Sequence, residues 1–325
     1  MIRSALKWTG DSFLEWFDSS RITSNPNDPK GLKTDIMRWT PYLTLHAGCL
    51  GVIWVGFSWT AFWVAFALYW IRMFAVTGIY HRYFSHRTYR MNRFWQFVFA
   101  VWGNSATQRG PIWWAAQHRH HHAHSDEPED VHSPEQHGFY WAHIGWLTSR
   151  TNLVLDEKLV PDLMKFPELV FLNRFDVFVP ILLAIAMYGL GAGLEAWAPS
   201  LGTNGWQMVV WGFFISTTVL FHCTCFINSL AHVFGRKRFQ TSDTSRNSFL
   251  LALICMGEGW HNNHHHYPSS ARNGFYWWEV DFTYYILKMF AAIGVIRDLR
   301  PVPDRVLEAG MAGASVGVPA AKNPA

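Results

Sequence analysis

Charge is what this chain lacks. Only 15% of its 325 residues are Asp, Glu, Lys or Arg, against roughly 25% in soluble domains. The deficit falls in blocks, which argues against the two water-soluble domains that the length would otherwise allow. Cysteine is scarce as well. Cys49, Cys223, Cys225 and Cys255 form no CxxC pair, which excludes an iron–sulfur cluster and a disulfide scaffold and reads as free thiols in a reducing compartment. The opening MIRSALKWTGDSFLEWF has no apolar core segment and no small-residue cleavage site, so no secretory leader is expected. There is no nucleotide fingerprint and no internal repeat, and a net charge of +4 is too small for a nucleic-acid surface.

Hydrophobic length is present instead. Four runs approach the ~20 residues that cross a bilayer core: 41–57, 60–80, 178–197 and 205–230. The connections at 57–60 and 198–204 leave room only for turns. Every Lys and Arg except Arg72 lies before 41, between 81 and 174, or after 230. The positive-inside rule then puts both termini and both polar regions on the cytoplasmic side. The expected fold is all-α and integral to the membrane, with four transmembrane helices in two hairpins under a cytosolic helical cap. Residues 1–40 form a cytosolic N-terminal segment, amphipathic at Phe13, Leu14, Trp16 and Phe17; 41–300 form the membrane unit; 301–325, rich in Gly, Ala and Pro, reads as a disordered tail. Within the cap, 91–106 reads as a membrane-dipping or buried helix and 282–299 as an amphipathic helix in the interface.

Histidine is the other excess. HRHHHAH (118–124) holds five imidazoles in seven residues. HRYFSH carries His81 and His86; HRHHH carries His118, His121 and His122; HNNHH carries His261, His264 and His265; NSLAH carries Asn228 and His232. In HxxHH, offsets of three and four place three side chains on one helix face, so a metal approaching that face meets three nitrogens. One structural zinc needs only four ligands. Nine imidazoles suit two transition-metal ions with four or five nitrogens each, and imidazole suits Zn, Cu, Fe and Ni. The glutamate pairs of soluble carboxylate-bridged dimetal bundles are missing. A dimetal site at the mouth of a membrane bundle faces lipid chains, which have no acidic proton. Breaking their C–H bonds takes an oxidant such as iron with O2.

Other polar residues fit lesser roles. His120, His124 and His266 fall outside the ligand sets. Asp126, Glu127, Glu129 and Asp130 either orient imidazoles through the second ring nitrogen or form a solvated acidic loop. His46 and His222, in or near the spans, read as packing histidines.

The three boxes in this order, flanking two hydrophobic hairpins, resemble the membrane-bound fatty acid desaturases, and more narrowly the stearoyl-CoA (Δ9) desaturases. DEPEDVHSPEQHGFYWAHIGWL (126–147), NSLAHVFG (228–235) and WEVDFTYYILKMFAAIGVIRDL (278–299) also resemble family segments, so that the likeness covers about residues 40–300. The resemblance implies an O2-dependent acyl desaturase that takes two electrons and inserts a cis double bond, at Δ9, into a saturated chain carried as acyl-CoA. It implies two Fe ions held by His81, His86, His118, His121, His122, His232, His261, His264 and His265, with Asn228 reaching one metal through a water. It implies that Gln108 and Trp114 line the acyl tunnel or its mouth.

Animal acyl-CoA members carry Arg-Asp just before the second box. This chain has Ala116-Gln117 there, which leaves another thioester or a glycerolipid as the alternative carrier. The sequence has no HPGG-type segment, so no fused haem domain of the cytochrome b5 kind is expected. Electrons are expected from a separate protein, such as a ferredoxin, a rubredoxin, or cytochrome b5 with its reductase. The basic face of Arg236, Lys237, Arg238 and Arg246 suits an acidic donor or anionic lipid. Two alternative functions remain: a related His-box hydroxylase or alkane oxidase, and a membrane metal transporter. The NSLAH and WEVDF segments favour desaturation over the first. Ligands beyond the span ends, rather than at the bilayer midplane, speak against the second.

Overall fold

The structure, a computed structural model, describes residues 13–312, which form helices and turns without a β-strand. Helix α1, Ile36–Cys49, starts where the Asp35 carboxylate accepts from Met37 N at 2.9 Å. A turn at Leu50–Gly51 separates it from a short helix, Val52–Val55. The expected span 41–57 is therefore two short helices. Gly48 and Gly51, poor helix formers, lie where any Cβ would meet Phe214 and Val210, so close packing is favoured there over an unbroken helix.

Helix α2, Trp59–Ser85, is long and apolar enough to cross a membrane. It runs past the expected end at 80 and winds as a π-helix from Ala75 to Ser85. His81 thus sits inside the helix and not after it. Helix α3, Arg93–Asn104, and helix α4, Pro111–His124, follow; Pro111 opens α4 at a position that needs no N–H donor. Helix α5 is Pro167–Arg174. Helix α6, Phe178–Trp197, and helix α7, Gly205–Val233, are again long and apolar enough to span. The polar end closes with α8, His261–His266, α9, Phe282–Ala292, and α10, Asp304–Ala312.

Side-chain bonds tie the turns together. Thr60 Oγ1 donates to Leu201 O at 2.6 Å, Gln207 Nε2 to Val55 O at 2.7 Å, and Trp211 Nε1 to Gly56 O at 3.1 Å. The turns before α2 and between α6 and α7 therefore share one end of the bundle, and the histidines occupy the other. Ile181, Leu182 and Ile185 of α6 face outward, a surface suited to hydrocarbon rather than water. Against the π-wound end of α2 pack α3 and α4, and α5 packs on both. Helix α3 buries one side and exposes Phe94 and Phe97 on the other.

Two expectations are corrected. The amphipathic helix of 282–299 ends at Ala292, because Gly294 takes φ +77 and turns the chain; Arg297 then pairs as backbone with Arg90. The expected tail is ordered through Ala312: Val306 and Ala309 bury against Phe239, Phe275 and Tyr276. The rest of that tail, 313–325, lies outside the described residues.

Gly191 of α6 faces Asn204 so closely that a Cβ would collide with its carbonyl oxygen, whereas Gly189 has open space. Overpacking of this kind costs ~1–3 kcal/mol. Gly191→Ala should lower the thermal unfolding midpoint in detergent by several degrees, and Gly189→Ala should leave it unchanged or raise it.

Candidate metal centre

Nine histidines meet at the polar end in two groups. His81, His86, His118, His122 and His264 form one, and His121, His232, His261 and His265 form the other; within each, the ligand nitrogens lie within 4.8 Å of one another. The grouping overturns the expectation that one HxxHH face serves one metal. Helix α4 sends His118 and His122 to the first group and His121 to the second. Helix α8 sends His264 to the first, and His261 and His265 to the second. Side chains at offset three sit about 100° away from those at offset four on a helix of 3.6 residues per turn. A helix inserted between two sites can therefore serve both.

The nitrogens converge closely. Nε2 of His81 lies 2.9 Å from Nε2 of His264, which lies 2.9 Å from Nε2 of His122. His86 and His118 face each other through Nε2 at 2.7 Å, and His232 and His261 at 3.1 Å. Burial holds His86, His118, His122, His261 and His264 well below the ordinary imidazole range, and neighbouring imidazoles add to the effect. Neutral rings keep a lone pair free for a cation.

Buried carboxylates occupy the other side of four rings. His81 Nδ1 lies 2.7 Å from Glu258, His121 Nδ1 2.9 Å from Asp130, His265 Nδ1 2.7 Å from Asp243, and His232 Nδ1 3.3 Å from Asp126. An acceptor at Nδ1 fixes that proton and turns the Nε2 lone pair inward. Burial alone would raise the acids. The adjacent imidazoles outweigh it and hold Asp126, Asp130 and Asp243 well below the usual carboxylate range, while His81 and Arg82 do the same for Glu258. Arg82, itself buried, bonds Glu258 at 3.0 Å and Asp281 at 2.9 Å. The Asp281 carboxylate also accepts from Asn273 N and caps α9 at Tyr284 N.

Of the acids singled out by sequence, Asp126 and Asp130 touch ring nitrogens of the second group, whereas exposed Glu127 reaches only His124 and Glu129 offers only its backbone carbonyl to His120. Asp243 and Glu258 were missed. Glu258 stands three residues before the HNNHH box, but His81 is far away in sequence, so only the fold reveals the pair. His266 stacks on Phe239, away from both groups. His46 and His222 bond each other at 2.9 Å, and His222 bonds His143 at 3.0 Å, a closed set that satisfies them as packing residues. On the basic face, Arg238 is tied to Glu279 and Lys237 to Asp243 O.

A cavity of about 270 Å³ is lined by His118 and Asn228, by Trp16 and Arg38, and by Trp113, Trp146 and other apolar side chains. Gln108 and Trp114 both line it. Gln108 Nε2 donates to Thr224 Oγ1 at 2.8 Å, and Trp114 stacks on His118 at 5.1 Å. A small second cavity brings Asn228 beside His121 and His261.

The chain matches the sequence profile of the fatty acid desaturases over residues 57–295. It belongs to the fatty acid desaturase family. An sn-1 stearoyl-lipid 9-desaturase of Anabaena variabilis is 36% identical over 262 residues, 80% of this chain and 91% of that protein. An acyl-CoA 5-desaturase of Anemone leveillei is 35% identical over 278 residues, 84% of this chain and 81% of that protein. A chloroplastic palmitoyl-monogalactosyldiacylglycerol delta-7 desaturase of Arabidopsis thaliana is 34% identical over 248 residues, 75% of this chain and 63% of that protein. The desaturase is thus an oxidoreductase whose relatives are named for acyl-lipid and for acyl-CoA substrates and for different bond positions.

The split boxes make a test within one helix. His118→Ala and His121→Ala should each retain about half of the transition metal bound by the wild type, because each touches one group and the partners hold the other. Metal analysis of the purified variants, with the double variant close to empty, checks the assignment.

Proposed function

We propose that this desaturase uses O2 and two electrons to insert a cis double bond, at the Δ9 position, into a saturated acyl chain held in the cavity that His118 lines. The observation that carries the reading is the meeting of that cavity with the nine-histidine centre at His118, Asn228 and Trp114. Atoms balance if –CH2–CH2– loses two hydrogens while O2 takes these, two protons and two electrons to give two waters. Acyl-CoA is the proposed carrier, with a glycerolipid as the alternative. Electrons come from a separate donor such as a ferredoxin, rubredoxin or cytochrome b5.

The residues suit a pair of divalent ions. His81, His86, His118, His122 and His264 would hold one, and His121, His232, His261 and His265 the other, with Asn228 beside the second. Five buried carboxylates, Asp126, Asp130, Asp243, Glu258 and Asp281, against one buried guanidinium, Arg82, leave an excess of negative charges around the rings. Two divalent ions would cancel them, and an uncancelled buried charge of that size is very costly. Iron, when bound, supplies the O2 activation that a C–H bond without an acidic proton requires.

The protein's own part is to place and to exclude. Trp114, stacked on His118, closes the wall between centre and chain. Gln108, bonded to Thr224, joins the loop before α4 to α7 at the same level and gives the cavity a fixed polar point next to the centre. The apolar walls keep water from competing for the oxidant. In the bilayer, α2, α6, α7 and the broken helix 36–55 form four spans in two hairpins, 41–300 make up the membrane unit, and both termini and the centre face the cytoplasm.

Desaturation should be visible in lipids. A host fed labelled stearate and expressing the wild type with a donor should accumulate a cis-monoene, located by gas chromatography–mass spectrometry. His261→Ala should abolish it, with a loss at least as large as the ~10–100-fold that follows from removing a residue that merely supports a ligand. A hydroxy acid in its place would overturn the reading.

A further inference from the structure

The cavity has a polar end that the metal chemistry does not use. There the segment 13–35 straps across the cap. Asp35 N donates to Thr148 O at 2.8 Å, Asn25 N to Thr151 Oγ1 at 3.1 Å, and Arg174 grips Asp18 at 2.7 Å. Glu15 of the strap is buried between Arg38 and Arg150. The strap and the first turn of α1 thereby bring Glu15, Trp16 and Arg38 into the wall of the cavity that His118 also lines.

The polar atoms at this end are unbalanced. Buried N–H groups of Trp16 (Nε1), Arg38 (Nε) and Trp146 (Nε1) find no acceptor in the protein. Arg109 and Asp176, also in the wall, answer each other at 3.0 Å. What remains is donors only, on three residues of one cavity, and a buried donor without an acceptor costs ~1–3 kcal/mol. Such a wall fits a ligand that brings acceptors and no donors. A saturated chain has one such group, the carbonyl oxygen of its ester or thioester. A free phosphate fits poorly, because both cations in this wall are already answered, Arg38 by Glu15 and Arg109 by Asp176.

We infer that Arg38 and Trp16, with Trp146, form the site that receives the acyl carbonyl, and that they are positioning residues: they set how many carbons lie between that oxygen and the metal pair, and so which bond is desaturated. The inference rests on the reading of the chain as an acyl desaturase. It names a fixed point from which carbons are counted, and it places that point partly on the N-terminal strap. Oxyester and thioester share the recognised oxygen, so the site alone does not separate a lipid from a CoA carrier.

Matched probes test it. Full-length protein loaded with Zn2+, which binds imidazole but has no redox chemistry, is titrated in lipid nanodiscs with a 1-stearoyl glycerolipid and its 1-O-octadecyl ether, and with stearoyl-CoA and S-octadecyl-CoA, which lacks the carbonyl. The wild type should prefer the carbonyl-bearing member of one pair, and that pair identifies the carrier. Arg38→Lys keeps the charge facing Glu15 but removes the Nε donor, and Trp16→Phe keeps an aromatic ring but removes its N–H. Each should shrink the preference about two- to ten-fold, the worth of one hydrogen bond. In turnover each should raise KM by a similar factor with little change in kcat, and should spread the double bond onto neighbouring carbons. Trp16 is half-buried on the strap, so Trp16→Phe remains informative if Arg38→Lys does not fold. Equal binding of ester and ether by the wild type, or variants with an unchanged preference and an unchanged bond position, would overturn the inference. A wild type that makes no unsaturated product would overturn the desaturase reading and this inference with it.

Discussion

Nine imidazoles buried together is the condition on which the rest of the structure depends. A buried ring has two nitrogens, and each must meet something. Four of the rings give Nδ1 to a buried carboxylate, which leaves their Nε2 lone pairs facing inward toward other lone pairs. The Nε2 atoms of His81, His122 and His264 are within 2.9 Å of their neighbours, and such a group is stable around cations. The carboxylates in turn are held by Arg82, by hydroxyls such as Thr244 on Asp126 at 2.6 Å, and by backbone N–H groups. The cap therefore folds around charge.

The interleaving of the boxes follows from the same condition. Helices α4 and α8 lie between the two groups, so each can send rings to both sides. Neither group is complete without α4 and α8, and each takes its remaining ligands from the end of a long apolar helix: His81 and His86 from the end of α2, His232 from the end of α7. Shifting any one of these elements would disturb both groups. The π-winding of α2 over Ala75–Ser85, a feature that recurs at functional sites, brings His81 into the group from within a helix that would otherwise carry it past.

Much of this was legible in the sequence, for physical reasons. Apolar runs report helix length and hydrophobicity directly, and α2, α6 and α7, each long and apolar enough to cross a membrane, sit close to the runs that foretold them. Histidine is rare enough that clustered boxes point to metal, and the segments around them pointed to the desaturase family. The division of ligands was not legible, because helical offset tells which side chains are near one another and not what lies on either side of the helix. Glu258 and Asp243 were hidden for the same reason, since each meets its imidazole across the fold. The order in 301–312 was missed because composition hides packing: Val306 and Ala309 find a pocket at Phe239 and Tyr276 that no local pattern reveals.

Iron-57 Mössbauer spectroscopy of the loaded protein, combined with iron quantified per chain, addresses the central claim most directly. Two irons per chain with two quadrupole doublets of equal area would be expected from one group of five imidazoles and one of four. A single iron per chain, or iron that binds without fixed stoichiometry and washes off the folded protein, would contradict a paired centre built by interleaved boxes.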